Sequence, residues 1–440
     1  MKVNTPIDTV IVDKIISQIG VNDLSNATIR EVVQIVNTIE KNTGVEFIRM
    51  EMGVPGLAPP EIGTEAEIKA IKQGVASKYP PLEGNPILKE ETSKFIKMFM
   101  NIDVSSQSCI PTVGAMQGSY ASFMLVSNLN KQKDTALFID PGFSVQKIQF
   151  QVMGYKYINF DIYDYRGDKL RAKLESIVSK GNINSIIYSN PNNPSWICFT
   201  EEELRIIGEI ANKYDLIVIE DLAYFAMDFR KELSKPGQPP YQLTVANYTD
   251  NYILLISSSK AFSYAGQRLG MLCISDKLFN REYDNLKQRF EVSKLGHVIV
   301  HRFLYSFSAG VCHSAQYALA SMFKAANRGA FNFIEEVKQY GEKAAIMKKI
   351  FTENGFNLVY EKDINEEIAD GFYFTISYPF MKSKELLKNL MYYGISAIGL
   401  ETCGSSHIEG VRICVSLVKQ EQFSILEKRV ILFNKENNIK

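Results

Sequence analysis

A repeated alternation constrains this chain more than any other feature. Short apolar runs sit at Ala136–Ile139, Ile186–Tyr188, Leu216–Ile219 and Tyr252–Ile256, with a fainter one at Tyr155–Phe160. Helical stretches lie between them, for instance 115–127 and 201–213. Strands that are apolar on both faces and separated by helices predict a largely parallel sheet covered on both sides. A chain of 440 residues exceeds one small domain and suits two lobes.

Before this alternation, residues 25–43 read as a helix, with Ser25 or Asn26 as its cap and Ile29, Val32, Val33 and Val36 on one face. Residues 50–60 form a Gly/Pro loop. Helices near 61–76 and 86–100 are joined by a turn that opens on Tyr79-Pro80-Pro81. A long helical run is expected over 311–350. After it, Gly371–Ser377, a helix near 382–393 and Val411–Leu417 suggest a smaller α+β lobe.

Lys+Arg and Asp+Glu both number 49, so the chain has no net charge to draw it to nucleic acid or anionic lipid. The six cysteines are scattered without a C-x-x-C pair, which argues against a zinc site and fits a reducing compartment. No signal-peptide pattern and no apolar run of membrane-spanning length is visible. A cytoplasmic protein is expected, so Asn26-Ala27-Thr28 and Asn247-Tyr248-Thr249 are chance glycosylation patterns.

Four segments carry chemistry. The first, Ser257-Ser258-Ser259-Lys260, follows an apolar strand, with Arg268 eight residues beyond the lysine. Ligands gather at the carboxyl ends of strands in such sheets. A lysine amine there can bond to an aldehyde cofactor, and hydroxyls beside a guanidinium suit a phosphate. A solvated lysine after a polar turn is the plain alternative. The second, Ile219-Glu220-Asp221 with Tyr224, puts a carboxylate at a strand end, where it can meet a pyridine nitrogen, a metal or a ribose. The third is the dense turn Asn190-Pro191-Asn192-Asn193-Pro194, in a pattern that also serves as mere punctuation. The fourth, Gly114-Ala115-Met116, opens a helix whose free N–H groups favour an anion.

In order, these segments run Gly/Pro loop, Tyr79, Gly114, Phe143 after Asp140-Pro141-Gly142, Asn193, Asp221 and Tyr224, Lys260, Arg268 and Arg412. Over roughly residues 45–420 this series resembles the class I/II aminotransferases of the aspartate aminotransferase superfamily, the fold type I enzymes of pyridoxal 5′-phosphate (PLP). The resemblance implies an α/β fold. It expects a large domain with a mostly parallel seven-stranded sheet flanked by helices, and a smaller α+β domain made from both chain ends. The corresponding division is 1–59 with the small domain, 60–310 as the large PLP-binding domain, and 311–440 as linking helix and small domain.

It also implies roles. Lys260 holds PLP as an internal aldimine and then shuttles a proton. Asp221 pairs with the pyridine nitrogen, and Asn193 and Tyr224 bond the phenolic oxygen. Ser257, Ser259, Arg268, Gly114, Ala115 and Met116 hold the phosphate, and Phe143 stacks on the ring. Tyr79 reaches the phosphate of a neighbouring subunit, which implies a homodimer with shared sites. Arg412 grips the substrate α-carboxylate, with Gly53 and Asn193 beside it. The implied activity is amino transfer between an amino acid and a 2-oxo acid.

The chain departs from the family pattern in places. Ser195-Trp196 follows the Asn-Pro turn where the family has Thr-Gly, and the first loop lacks a Glu-Pro-Asp pattern. Residues 228–250, with Pro236, Pro239 and Pro240, make a long connection. Arg302 is the candidate for a distal carboxylate of the substrate, with His297 and Lys294 as rival cations and a plain surface arginine as the alternative. The 26 Phe and 22 Tyr leave an aromatic substrate open, so aspartate, glutamate and aromatic amino acids all stand. A PLP lyase, acting as a C–S β-lyase or decarboxylase, is the competing chemistry. A PLP-sensing regulator would need a DNA-binding domain, and an NAD enzyme would need a G-x-G-x-x-G after a strand.

Overall fold

The computed structural model describes residues 5–438. Its centre is a seven-stranded sheet: β1 (Cys109–Val113), β2 (Thr135–Asp140), β3 (Lys156–Asp161), β4 (Ile183–Ser189), β5 (Ile217–Leu222), β6 (Tyr252–Ser257) and β7 (Leu269–Ile274). Across the sheet the order is β1-β7-β6-β5-β4-β2-β3. Only β7 runs against its neighbours. Strands β2, β4, β5, β6 and β7 are buried at every residue, which is why they read as unbroken apolar runs.

The two edge strands were harder to see. Most of β3 is exposed or half-buried, so its alternation is faint. β1 contains Pro111, which an edge position tolerates because no neighbour needs its missing N–H on the outer side. Neither β1 nor β7 is among the apolar runs picked out from the sequence, and here both are strands.

Around this sheet the helices match the expected periodicity, with three corrections. The helix expected over 25–43 begins at Ile29, not at Ser25. Thr28 caps it, with its hydroxyl on the Glu31 N–H at 3.3 Å and its own N–H on the Glu31 carboxylate at 2.7 Å. Ser25 and Asn26 belong to a separate 3-10 turn, Leu24–Asn26. The run expected over 311–350 is two helices, His313–Asn327 and Phe333–Thr352, parted where Gly329 turns left-handed at φ 68°. A further helix, Thr9–Ile19, precedes both, capped by Asp8 and closed by Gly20.

The smaller unit has a four-stranded sheet in the order Ile398–Gly399, Val411–Cys414, Tyr373–Ser377, Asn357–Leu358, all antiparallel. Ile48–Arg49 pairs in parallel with Ile395–Ser396, so the N-terminal segment lies beside the C-terminal one. Among the described residues no helix is long and apolar enough to cross a membrane.

This topology decides where chemistry can gather. β1, β2, β4, β5 and β6 all point the same way, so their carboxyl ends share one edge. The segments that open at Gly114, Phe143, Asn190, Ala223 and Ser258 all leave from that edge.

Candidate active site

Lys260 stands just beyond β6. The turn is held by the Ser258 hydroxyl, which donates to Leu269 O at 2.6 Å, and by the Ser259 N–H on the Ser257 hydroxyl at 3.1 Å. The lysine side chain crosses to the opposite loop, where Nζ donates to Gly53 O at 2.6 Å. Burial pushes the amine down from its ordinary value to about 8, and the Arg268 and Arg412 cations push the same way. Near neutral pH a useful share of the amine is therefore unprotonated, as a nucleophile or proton acceptor must be.

Asp221 is buried at the end of β5. Its carboxylate accepts from Gln146 Nε2 at 2.8 Å and from the Ala223 N–H at 3.0 Å. Burial raises it to about 6 despite those bonds. A buried carboxylate held by neutral donors only is suited to a cation, and a ring N–H⁺ is one. Gln146 lies on the helix Ser144–Met153, which Phe143 precedes. One helix start thus brings Phe143 and the support of Asp221 to the same edge.

The anion cradle is compact. Gly114 opens the helix Gly114–Val126 at φ 66°, and a Cβ there would come within 2.6 Å of Arg268 Nη2. The glycine lets the guanidinium approach the N–H groups of the helix start. Arg268 itself adopts φ 52° and spends only Nη1 on Ala265 O, at 2.8 Å. Ala115 and Met116 occupy the first turn, and Ser257 and Ser259 close the strand end opposite. This donor set fits a phosphate.

Arg412 is 3% exposed. Its Nη2 donates to Glu51 O at 2.6 Å and its Nη1 to Asn193 Oδ1 at 3.5 Å, while Nε is buried without a partner. Among the described residues no carboxylate pairs with it. A buried, unpaired guanidinium is costly in an isolated chain and calls for an anion. Its Nη2 acceptor, Glu51 O, lies two residues along the same loop from the carbonyl that holds Lys260.

Tyr224 donates its hydroxyl to the Tyr373 hydroxyl at 2.8 Å. Trp196 is fully buried and packs edge-on against Tyr224, with ring centroids 5.3 Å apart. It therefore lies behind Tyr224 as part of the core of the turn. Tyr79 is 90% exposed, and Arg302 lies in a π-helical turn, Ile299–Leu304, with Nη1 on His301 O at 3.3 Å. Neither bonds to the Lys260 cluster within this chain.

Sequence reasoning missed Gln146 and Tyr373. Each reaches the site across a long stretch of chain, 75 and 149 residues from its partner. The single local signal was the tyrosine inside the apolar strand Tyr373–Ser377.

Comparison with known proteins agrees with this architecture. The family described as aminotransferase class I and II matches residues 46–430. A protein of Methanocaldococcus jannaschii named as a probable aspartate aminotransferase is 26% identical over 345 residues, covering 71% of this chain and 88% of its own length. A Saccharomyces cerevisiae protein named as a probable kynurenine–oxoglutarate transaminase is 24% identical over 243 residues, 52% of each chain. The solved structure of an alanine aminotransferase from Pyrococcus furiosus superposes with a TM-score of 0.75 over 93% of this chain and 97% of that one, at 21% identity. With the family match covering most of the sequence, the chain belongs to the class I and II aminotransferases and is a transaminase.

Proposed function

We propose that the enzyme binds PLP at Lys260 and transfers an amino group from an amino acid to a 2-oxo acid. The observation that carries this reading is the unpaired, buried Arg412 beside the lowered amine of Lys260, both anchored on the 51–53 loop. When bound, PLP supplies an aldehyde for the amino group and a ring that withdraws electrons from the Cα bonds.

The chain's own residues supply the rest. Arg412 binds the α-carboxylate and so fixes which Cα bond faces Lys260. The Lys260 amine, released from Gly53 O, would take the proton from the donor Cα and deliver it to the carbon that had been the aldehyde of the cofactor. Asp221, kept ionised near neutral pH, favours a protonated ring nitrogen. Asn193 and Tyr224 would hold the phenolic oxygen, Phe143 would cover the ring, and the Gly114–Arg268 cradle with Ser257 and Ser259 would hold the phosphate. The exposed Tyr79 completes the cradle of a second copy, which makes the working enzyme a homodimer. Gly53 offers its backbone to the same carboxylate as Arg412.

Substrates named for the relatives, aspartate, kynurenine and alanine, define the panel to assay. Each donor is incubated with 2-oxoglutarate and glutamate is measured. Donor-dependent glutamate is expected. Pyruvate and ammonia released without an acceptor would instead mark a lyase. Arg302→Ala is expected to weaken dicarboxylic donors alone; equal loss for all donors would remove Arg302 from the site.

A further inference from the structure

Tyr373 stands where three proposed site residues converge. Its hydroxyl is 2.8 Å from that of Tyr224, and its ring lies 4.7 Å from the Arg412 guanidinium carbon. A side chain at Gly53 would overlap the same hydroxyl, so the loop that holds Lys260 passes directly over it. The ring is 2% exposed, and Trp196 packs edge-on against it at 6.2 Å. Register places it two residues from Thr375, the strand partner of Arg412. A hydrophobic strand position would be satisfied by phenylalanine, so the buried hydroxyl needs its own explanation.

A tyrosine hydroxyl has one proton to donate and can accept as well. In this structure Tyr224 spends its proton on Tyr373. For Tyr224 to donate to a cofactor oxygen, the pair must reverse, with Tyr373 donating to Tyr224. We infer that Tyr373 is a positioning residue that forms a two-hydroxyl relay with Tyr224, strengthening the bond Tyr224 gives to the phenolic oxygen of PLP. This rests on the reading of Tyr224 as the residue facing that oxygen. Serial hydrogen bonds reinforce one another in a dry interior. The ionisable groups facing the pair are Arg412, Cys414 and Cys403 around Tyr373, and Arg412 and Cys414 around Tyr224.

The relay has a spectroscopic consequence. Donation to the phenolic oxygen drains its negative charge, which loosens the neighbouring proton that the visible band reports. The test is a pH titration of that band in the PLP-loaded wild type, Tyr373→Phe, Tyr224→Phe and the double variant. Tyr373→Phe keeps the ring on Arg412, and emission from Trp196 checks that the fold is retained. The expected result is an upward shift of the midpoint by about half to one pH unit for Tyr373→Phe, a larger shift for Tyr224→Phe, and no further shift in the double variant. An unmoved midpoint in Tyr373→Phe, or a shift that adds in full to that of Tyr224→Phe, would overturn the relay while leaving Tyr224 in place. An unmoved midpoint in Tyr224→Phe would overturn the assignment of Tyr224, and the relay with it.

Discussion

The indole of Trp196 fills the space that a side chain at Gly371 would need. The pair joins the turn after β4 to the strand that carries Tyr373. Gly371→Ala is expected to push the indole away and lower stability by about 1–3 kcal/mol, as overpacking does. Trp196 is the only tryptophan, so its emission reads the displacement directly. A red shift together with a lower Tm is the expected outcome, and unchanged emission would show that the contact yields without consequence.

Arg268 and Gly114 form one cradle. Arg268→Ala is expected to weaken PLP binding roughly 10–100-fold, the loss of a charge-assisted bond. Pyridoxal, which lacks the phosphate, should bind both proteins alike. Equilibrium dialysis with the two ligands separates a phosphate contact from general damage, which would weaken both.

Arg412 offers a fork rather than a point charge. Arg412→Lys should raise KM for amino donors about 10-fold or more, and Arg412→Ala should raise it further, with PLP affinity preserved in both. Equal loss of PLP affinity would place Arg412 in the cofactor site.

Glu220, beside Asp221, is fully buried and accepts from the Thr244 hydroxyl at 2.5 Å and the Val245 N–H at 3.1 Å. Burial raises its carboxyl to about 7. The folded chain thus holds this proton to higher pH than the unfolded chain, so stability falls as pH rises from about 4.5 through 7. The cost above pH 7 is about 3 kcal/mol at most. Glu220→Gln mimics the protonated form and should flatten that slope in chemical denaturation between pH 5 and 8. An unchanged slope would contradict a raised Glu220.

Much of the fold was legible because burial on both faces writes an unbroken apolar run, as in Tyr252–Ser257. The edges were not, since Lys156–Asp161 faces solvent and Cys109–Val113 carries a proline. The helix break at Gly329 was missed because a short turn barely disturbs helical periodicity. Lys260, Asp221 and Gly114 could be picked out because each sits at or just past the end of a strand, where the local pattern changes. Tyr373 and Gln146 could not, because their roles exist only once distant segments meet. The 228–250 connection also gained a reason: Thr244 and Val245 tie it to Glu220, beneath the Asp221 position.

Every role proposed for the site depends on Lys260 carrying the cofactor. The PLP-loaded protein is reduced with borohydride, digested, and its peptides weighed. The pyridoxyl mass is expected on the peptide bearing Lys260, and is expected to be absent from Lys260→Ala treated in the same way. Label on another lysine in the wild type, or equal label in the variant, would contradict it.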